Sequence, residues 1–138
     1  MERNIVTGKL RSAAGFTIIE LMVVMSLIVT LSTIAIVQYR HSVVYSKEAV
    51  LKEDLFRMKE AIDQYYADKN QWPPTLDDLV SSGYLRSIPT DPITNSASTW
   101  ETEPAPADPN NPISAGGVYS VKSGSDATSM DGTKYNDW

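Results

Sequence analysis

The sequence predicts an α+β fold in which one long N-terminal helix packs on a small antiparallel sheet that carries a C-terminal loop. Three observations predict it. An unbroken apolar run fills residues 16–37, an amphipathic pattern of helical period extends it to about residue 65, and the remainder breaks into short segments rich in Pro, Ser, Thr and Asn. Charge and composition narrow the chemistry. With 12 Lys and Arg against 17 Asp and Glu in 138 residues, the net charge is −5, which argues against a basic nucleic-acid-binding surface. There is no cysteine and a single histidine, His41, so disulfides, thiol nucleophiles and Cys- or His-rich metal sites are excluded. No Ser/His/Asp set, phosphate loop or zinc motif can be assembled, so an enzyme is not expected.

The run from Phe16 to Val37 has 22 residues with one charge, Glu20, and neither Pro nor Gly. At roughly 1.5 Å per residue such a helix spans the ~30 Å hydrocarbon core of a bilayer. A helix apolar on every face would otherwise need a large protein around it, and the rest of this chain is too short to supply one. Arg3, Lys9 and Arg11 against Glu2 give residues 1–15 a net charge of +2, leaving −7 for residues 16–138. That asymmetry keeps the N-terminus cytoplasmic and exports the acidic remainder. The run ends in Gln38-Tyr39-Arg40-His41 instead of the small residues of a secretory cleavage site, so the apolar helix is retained. A carboxylate one turn inside a membrane helix is costly and marks a functional site. That site is Glu20.

After Arg40 the apolar residues Val44, Leu51, Leu55, Met58, Ile62 and Tyr65 recur at spacings of 7, 4, 3, 4 and 3, one face of a helix. Lys47, Glu48, Lys52, Glu53, Lys59, Glu60 and Asp63 are assigned to the opposite, solvated face, with Glu48 and Lys52 as an i,i+4 pair. The helix ends at Asn70-Gln71-Trp72-Pro73-Pro74, because two prolines cannot continue it. Thr75 with Asp78 three residues on predicts a capped second helix. Leu76, Leu79 and Val80 form its buried stripe, and Gly83 its stop. Asp77 and Asp78 then serve the helix dipole and are not a catalytic pair. Trp100 is expected to end a short strand, residues 101–115 with four prolines to form an exposed loop, and Gly117–Val121 to form a strand. The sheet should have two or three strands. A head of this size has a marginal core, so an additional staple is expected. The segment Ser123–Trp138 offers one: Asp126, Asp131 and Asp137 among small oxygen-bearing residues could wrap a hard cation.

The junction Gly15-Phe16-Thr17-Ile18-Ile19-Glu20-Leu21, at the head of an uninterrupted apolar helix, resembles the processing signal of the type IV pilin and type II secretion pseudopilin superfamily. Tyr65 through Asp91, with Tyr-Tyr-Ala-Asp-Lys-Asn-Gln-Trp-Pro, Leu-Asp-Asp-Leu-Val and Tyr-Leu-Arg-Ser-Ile-Pro-Thr-Asp-Pro, looks like the G-type major pseudopilins. The resemblance is strong over 15–37, fair over 38–92 and 117–138, and weak in the proline-rich middle. It implies a pilin-like fold in three parts: a cleaved cytoplasmic leader at 1–15, a transmembrane and filament-core helix at 16–37, and a periplasmic head at 38–138. It implies cleavage between Gly15 and Phe16 by a prepilin peptidase, N-methylation of Phe16, and pairing of Glu20 with the Phe16 amine of a neighbour during assembly. It further implies an inner-membrane homopolymer of a type II secretion system, whose partners are an assembly platform, a cytoplasmic ATPase and minor pseudopilins. Calcium in the C-terminal loop is implied too, with Asp126 and Asp131 in matching places and Asp137 a further candidate. The alternative is a type IV pilin of a surface fibre for adhesion, motility or DNA uptake, which the lack of cysteine disfavours. The sequence departs from the family three times. The 15-residue leader is longer than many pseudopilin leaders, Val37 stands where these helices commonly carry proline, so no kink is expected, and Ile93-Thr94 replaces the usual Trp-Gly after Asp91-Pro92.

Overall fold

The structure, a computed structural model, describes residues 15–106 and 116–138; the leader before Gly15 and the tip of the proline-rich loop lie outside it. The chain separates into two compact units, Met1–Tyr39 and Arg40–Trp138. One helix, α1, runs Ile18–Lys69 without interruption, through Val37.

In the first unit every described residue is exposed, including Phe16 at 86% and Leu31 at 66%. The polar groups in this stretch turn inward on the helix itself. The hydroxyls of Thr30 and Thr33 donate to the carbonyls of Ser26 and Val29, at 2.8 and 2.9 Å. Such back-bonding satisfies these two hydroxyls within the helix, which suits an apolar solvent. By length and composition this part of α1 is apolar enough to cross a membrane.

The second unit is built on the amphipathic half of α1. Leu51, Met58, Ala61, Ile62 and Tyr65 form one side of the core. Leu79 of the second helix, α2 (Leu76–Ser81), packs on them together with residues of the two strands, β1 (Trp100–Pro104) and β2 (Val118–Ser123), and Tyr135 of a 3₁₀ turn (Tyr135–Asp137). α1 stops where the sequence predicts, with Asn70 at φ +55° in the left-handed conformation that closes helices. The α2 cap is also as predicted: Thr75 N–H donates to Asp78 Oδ2 at 3.1 Å, and Asp78 N–H returns to Thr75 Oγ1 at 3.3 Å. Gly83, at φ +82°, ends the element.

The strands pair antiparallel, Trp100 opposite Ser123 and Thr102 opposite Val121, with the register slipping between Glu103 and Pro104. Two sequence expectations change here. Trp100 begins a strand instead of ending one, because its ring is buried in the core and its Nε1–H donates to the Pro89 carbonyl at 2.8 Å. Pro104 is tolerated because it stands at the irregular end of the ladder, where no N–H is needed. β2 extends to Ser123, whose hydroxyl donates to buried Asp91 at 2.6 Å. Asp91 also receives the amides of Ile93 and Thr94 at 2.7 and 3.3 Å. Its turn therefore closes without Trp-Gly, and Asn95 at φ +56° supplies the left-handed residue. Gly117 cannot carry a side chain, since a Cβ there would lie 2.5 Å from that of Trp72.

The third correction concerns Glu48. The sequence places it on the solvated face of α1, paired with Lys52. It is instead 5% exposed, and among the described residues no Glu48–Lys52 ion pair forms. Residues 44, 48, 51, 55, 58, 62 and 65 follow one 4-3 stripe, and Glu48 occupies the step that the seven-residue gap between Val44 and Leu51 skipped.

Candidate functional site

The start of α1 carries the residues Phe16 to Leu21 that the sequence singled out. Thr17 is its cap: the Glu20 amide donates to Thr17 Oγ1 and the Leu21 amide to the Thr17 carbonyl, both at 3.2 Å. These bonds satisfy donors that a helix start otherwise leaves open. Thr17-Ile18-Ile19-Glu20 is the Thr-x-x-Glu pattern of a capping box, a signal legible in the sequence that our reading of the junction did not use. The cap releases Phe16 from the helix and sets Glu20 one turn in. Phe16, Glu20, Leu21 and Val24 line a notch of about 220 Å³. Gly15 lies just before it, exposed and with open space around its Cα. A carboxylate in an otherwise apolar notch can accept hydrogen bonds from, and neutralise, a cationic amine brought against this surface.

At the other end of the chain, the structure does not bring Asp126, Asp131 and Asp137 together. Among the described residues no three acidic or histidine side chains converge on a metal-sized site. Asp126 accepts from Asn136 Nδ2 at 2.9 Å. Asp131 lines two clefts that also include Lys52. Asp137 is exposed and adds to the negative field at Lys122. That ammonium has its pKa raised chiefly by the hydrogen bond to Glu103, at 2.7 Å. The three-carboxylate arrangement therefore does not fit one ion. Asn136 Oδ1 is buried without a hydrogen-bond partner, while the Nδ2 of the same amide is held by Asp126.

The same segment is fastened to α1 by Glu48. Its Oε1 accepts from the Met130 amide at 2.8 Å and from the Tyr135 hydroxyl at 2.9 Å. Burial first, then the bond to Glu48, pushes the Tyr135 pKa up to about 12.

Comparison with known proteins places these features. The prokaryotic N-terminal methylation motif matches residues 10–36. The chain is 31% identical to the type II secretion system core protein G of Pseudomonas aeruginosa, over 62% of this chain and 71% of that protein. The chain belongs to the core protein G family of pseudopilins. It is also 39% identical to the fimbrial protein EcpC of Eikenella corrodens, over 43% of this chain, and spans 39% of that protein's length. No solved structure matches the chain. In this pseudopilin the methylation motif covers the junction and most of the exposed apolar stretch. The core protein G similarity, at 62% of the chain, is too long to be confined to that stretch. Sequence reasoning singled out Phe16 and Glu20, which line the notch; it missed Thr17 as the cap and Glu48 as the buried anchor.

Proposed function

We propose that this pseudopilin is the major filament subunit of a type II secretion system. Its N-terminus is cytoplasmic and its head periplasmic, and it polymerises from the inner membrane into a periplasmic pseudopilus. The observation that carries the reading is a capped helix start, Phe16-Thr17-Ile18-Ile19-Glu20, heading some twenty exposed apolar residues with a single carboxylate among them. Such a surface needs lipid before assembly and other helices after it. In this account a prepilin peptidase cuts after Gly15 and methylates the Phe16 amine. That amine then meets Glu20 of a neighbouring subunit, neutralising both charges as the helix leaves the bilayer. The assembly platform, cytoplasmic ATPase and minor pseudopilins are the implied partners.

Intact-mass analysis of the protein extracted from its host's membranes tests the processing step. A mass for residues 16–138 plus one methyl group is expected; a full-length mass overturns it. The fimbrial relative makes a surface fibre the second reading. A deletion strain separates the two, because loss of secreted proteins with surface fibres intact is the pseudopilus outcome.

Calcium belongs to the same reading, with Asp126 as the side-chain ligand and main-chain carbonyls of the Ser123–Ser129 stretch completing the shell. Calcium should raise the melting temperature of the head in the parent chain and not in Asp126→Ala. No calcium effect on the parent removes the ion from the account.

A further inference from the structure

A glutamate at an apolar step of α1 needs a reason, since a buried carboxylate without a cation is costly to keep. Lys52, one turn on, does not neutralise it; that ammonium sits 4.3 Å from the centre of the Trp138 ring. What Glu48 does have is two donors from one distant segment, Met130 N–H and Tyr135 O–H, on the same oxygen.

The segment they come from is closed on itself. The Tyr135 amide donates to the Ala127 carbonyl at 3.1 Å, and the Ser129 amide to the Thr133 carbonyl at 2.7 Å. Trp138 Nε1–H donates to Thr133 Oγ1 at 2.8 Å, and the Trp138 ring meets that of Tyr135 edge-on at 5.2 Å. The segment's apolar hold is Tyr135, 3% exposed in the core, with Trp138 packed against that cluster. Its polar hold on α1 is concentrated at Glu48, with the Lys52–Trp138 contact beside it.

We infer that residues 127–138 form a strap clasped to α1 by the Glu48 carboxylate, and that this clasp holds the strap whether or not calcium is bound. The clasp is an internal fastening for a head that has no cysteine to form a disulfide. The inference does not depend on the filament reading, since it concerns the subunit alone.

Amide hydrogen exchange on the full chain in detergent tests it, comparing the parent, Glu48→Gln and Glu48→Ala, each with and without a calcium chelator. Hydrogen bonds to a charged acceptor are strong enough that removing both should raise exchange across 128–135 by about tenfold or more. Amides of residues 58–65 should change far less. Glu48→Gln keeps an acceptor and should fall between. Chelation should leave the parent's strap protected. Unchanged protection in Glu48→Ala overturns the clasp, and so does a parent strap that opens on chelation as far as the variant's. If Glu48→Ala does not fold, Glu48→Gln carries the test: raised strap exchange supports the clasp and parent-like exchange overturns it.

Discussion

Glu20 and Glu48 are carried by the same helix in opposite surroundings. Glu48 lies within the head, 5% exposed, with two donors from its own chain. Glu20 is exposed in an apolar stretch, and among the described residues no donor reaches its carboxylate. The neighbours differ in the same way: Leu51, Met58 and Ile62 are fully buried by the head, whereas Leu21, Leu31 and Ile34 remain over 60% exposed. One half of α1 is completed by its own chain. The other half has an apolar surface and a charge whose complements must come from outside, from lipid or from further copies.

The comparison breaks first at Glu20. Replacing it with Leu or Ala should leave membrane insertion intact and abolish filament assembly, read as sheared or cross-linked polymer; normal polymer from either variant would sink its assembly role. Truncating the covered half acts on the subunit instead. Ile62→Ala should destabilise the head by about 2–5 kcal/mol, whereas Ile34→Ala should leave head stability unchanged, both measured by denaturant unfolding in detergent. Equal effects would mean that the two halves are not distinct.

A pH titration sharpens the Glu48 side. The Tyr135 pKa is raised from 10 to about 12 in the folded head. A group whose pKa is raised on folding contributes stability fully below its unfolded pKa and loses it as pH rises through the folded one. Stability should therefore fall between pH 10 and 12, where a tyrosinate would face the Glu48 carboxylate. That component should vanish in Tyr135→Phe. The smallest of these effects is at a cap: Thr75→Ala should cost about 1 kcal/mol, visible as a modest fall in melting temperature with assembly unaffected.

Much of this was legible because it is written in runs and periods. The apolar stretch is continuous, the head half of α1 repeats at 4-3 spacing, and Thr75 with Asp78 is a local pattern closed within one turn. The G-type resemblance from Tyr65 to Pro92 lies on those same local elements. The candidate site was legible only at the junction, where Gly15, Phe16 and Glu20 are adjacent in sequence. At the other end, Asp126, Asp131 and Asp137 looked like a set because they are near in sequence, yet the strap's turns send them to different neighbours. Glu48 was misplaced for the converse reason. Read by residue type it belongs with its charged neighbours; read by position it falls on the apolar stripe.

The sequence alone settles the long helix, its division into an apolar and an amphipathic half, and the Thr75–Asp78 cap of α2. Each rests on hydrogen bonds or hydrophobic periodicity within a few residues. Only the tertiary structure decided that Trp100 opens a strand, that Asp91 is satisfied by Ser123, and that Glu48 holds the strap. The partners in those contacts lie up to 87 positions apart in the chain. A buried polar group is tolerated or forbidden according to which distant donor the fold delivers to it, and no local pattern encodes that.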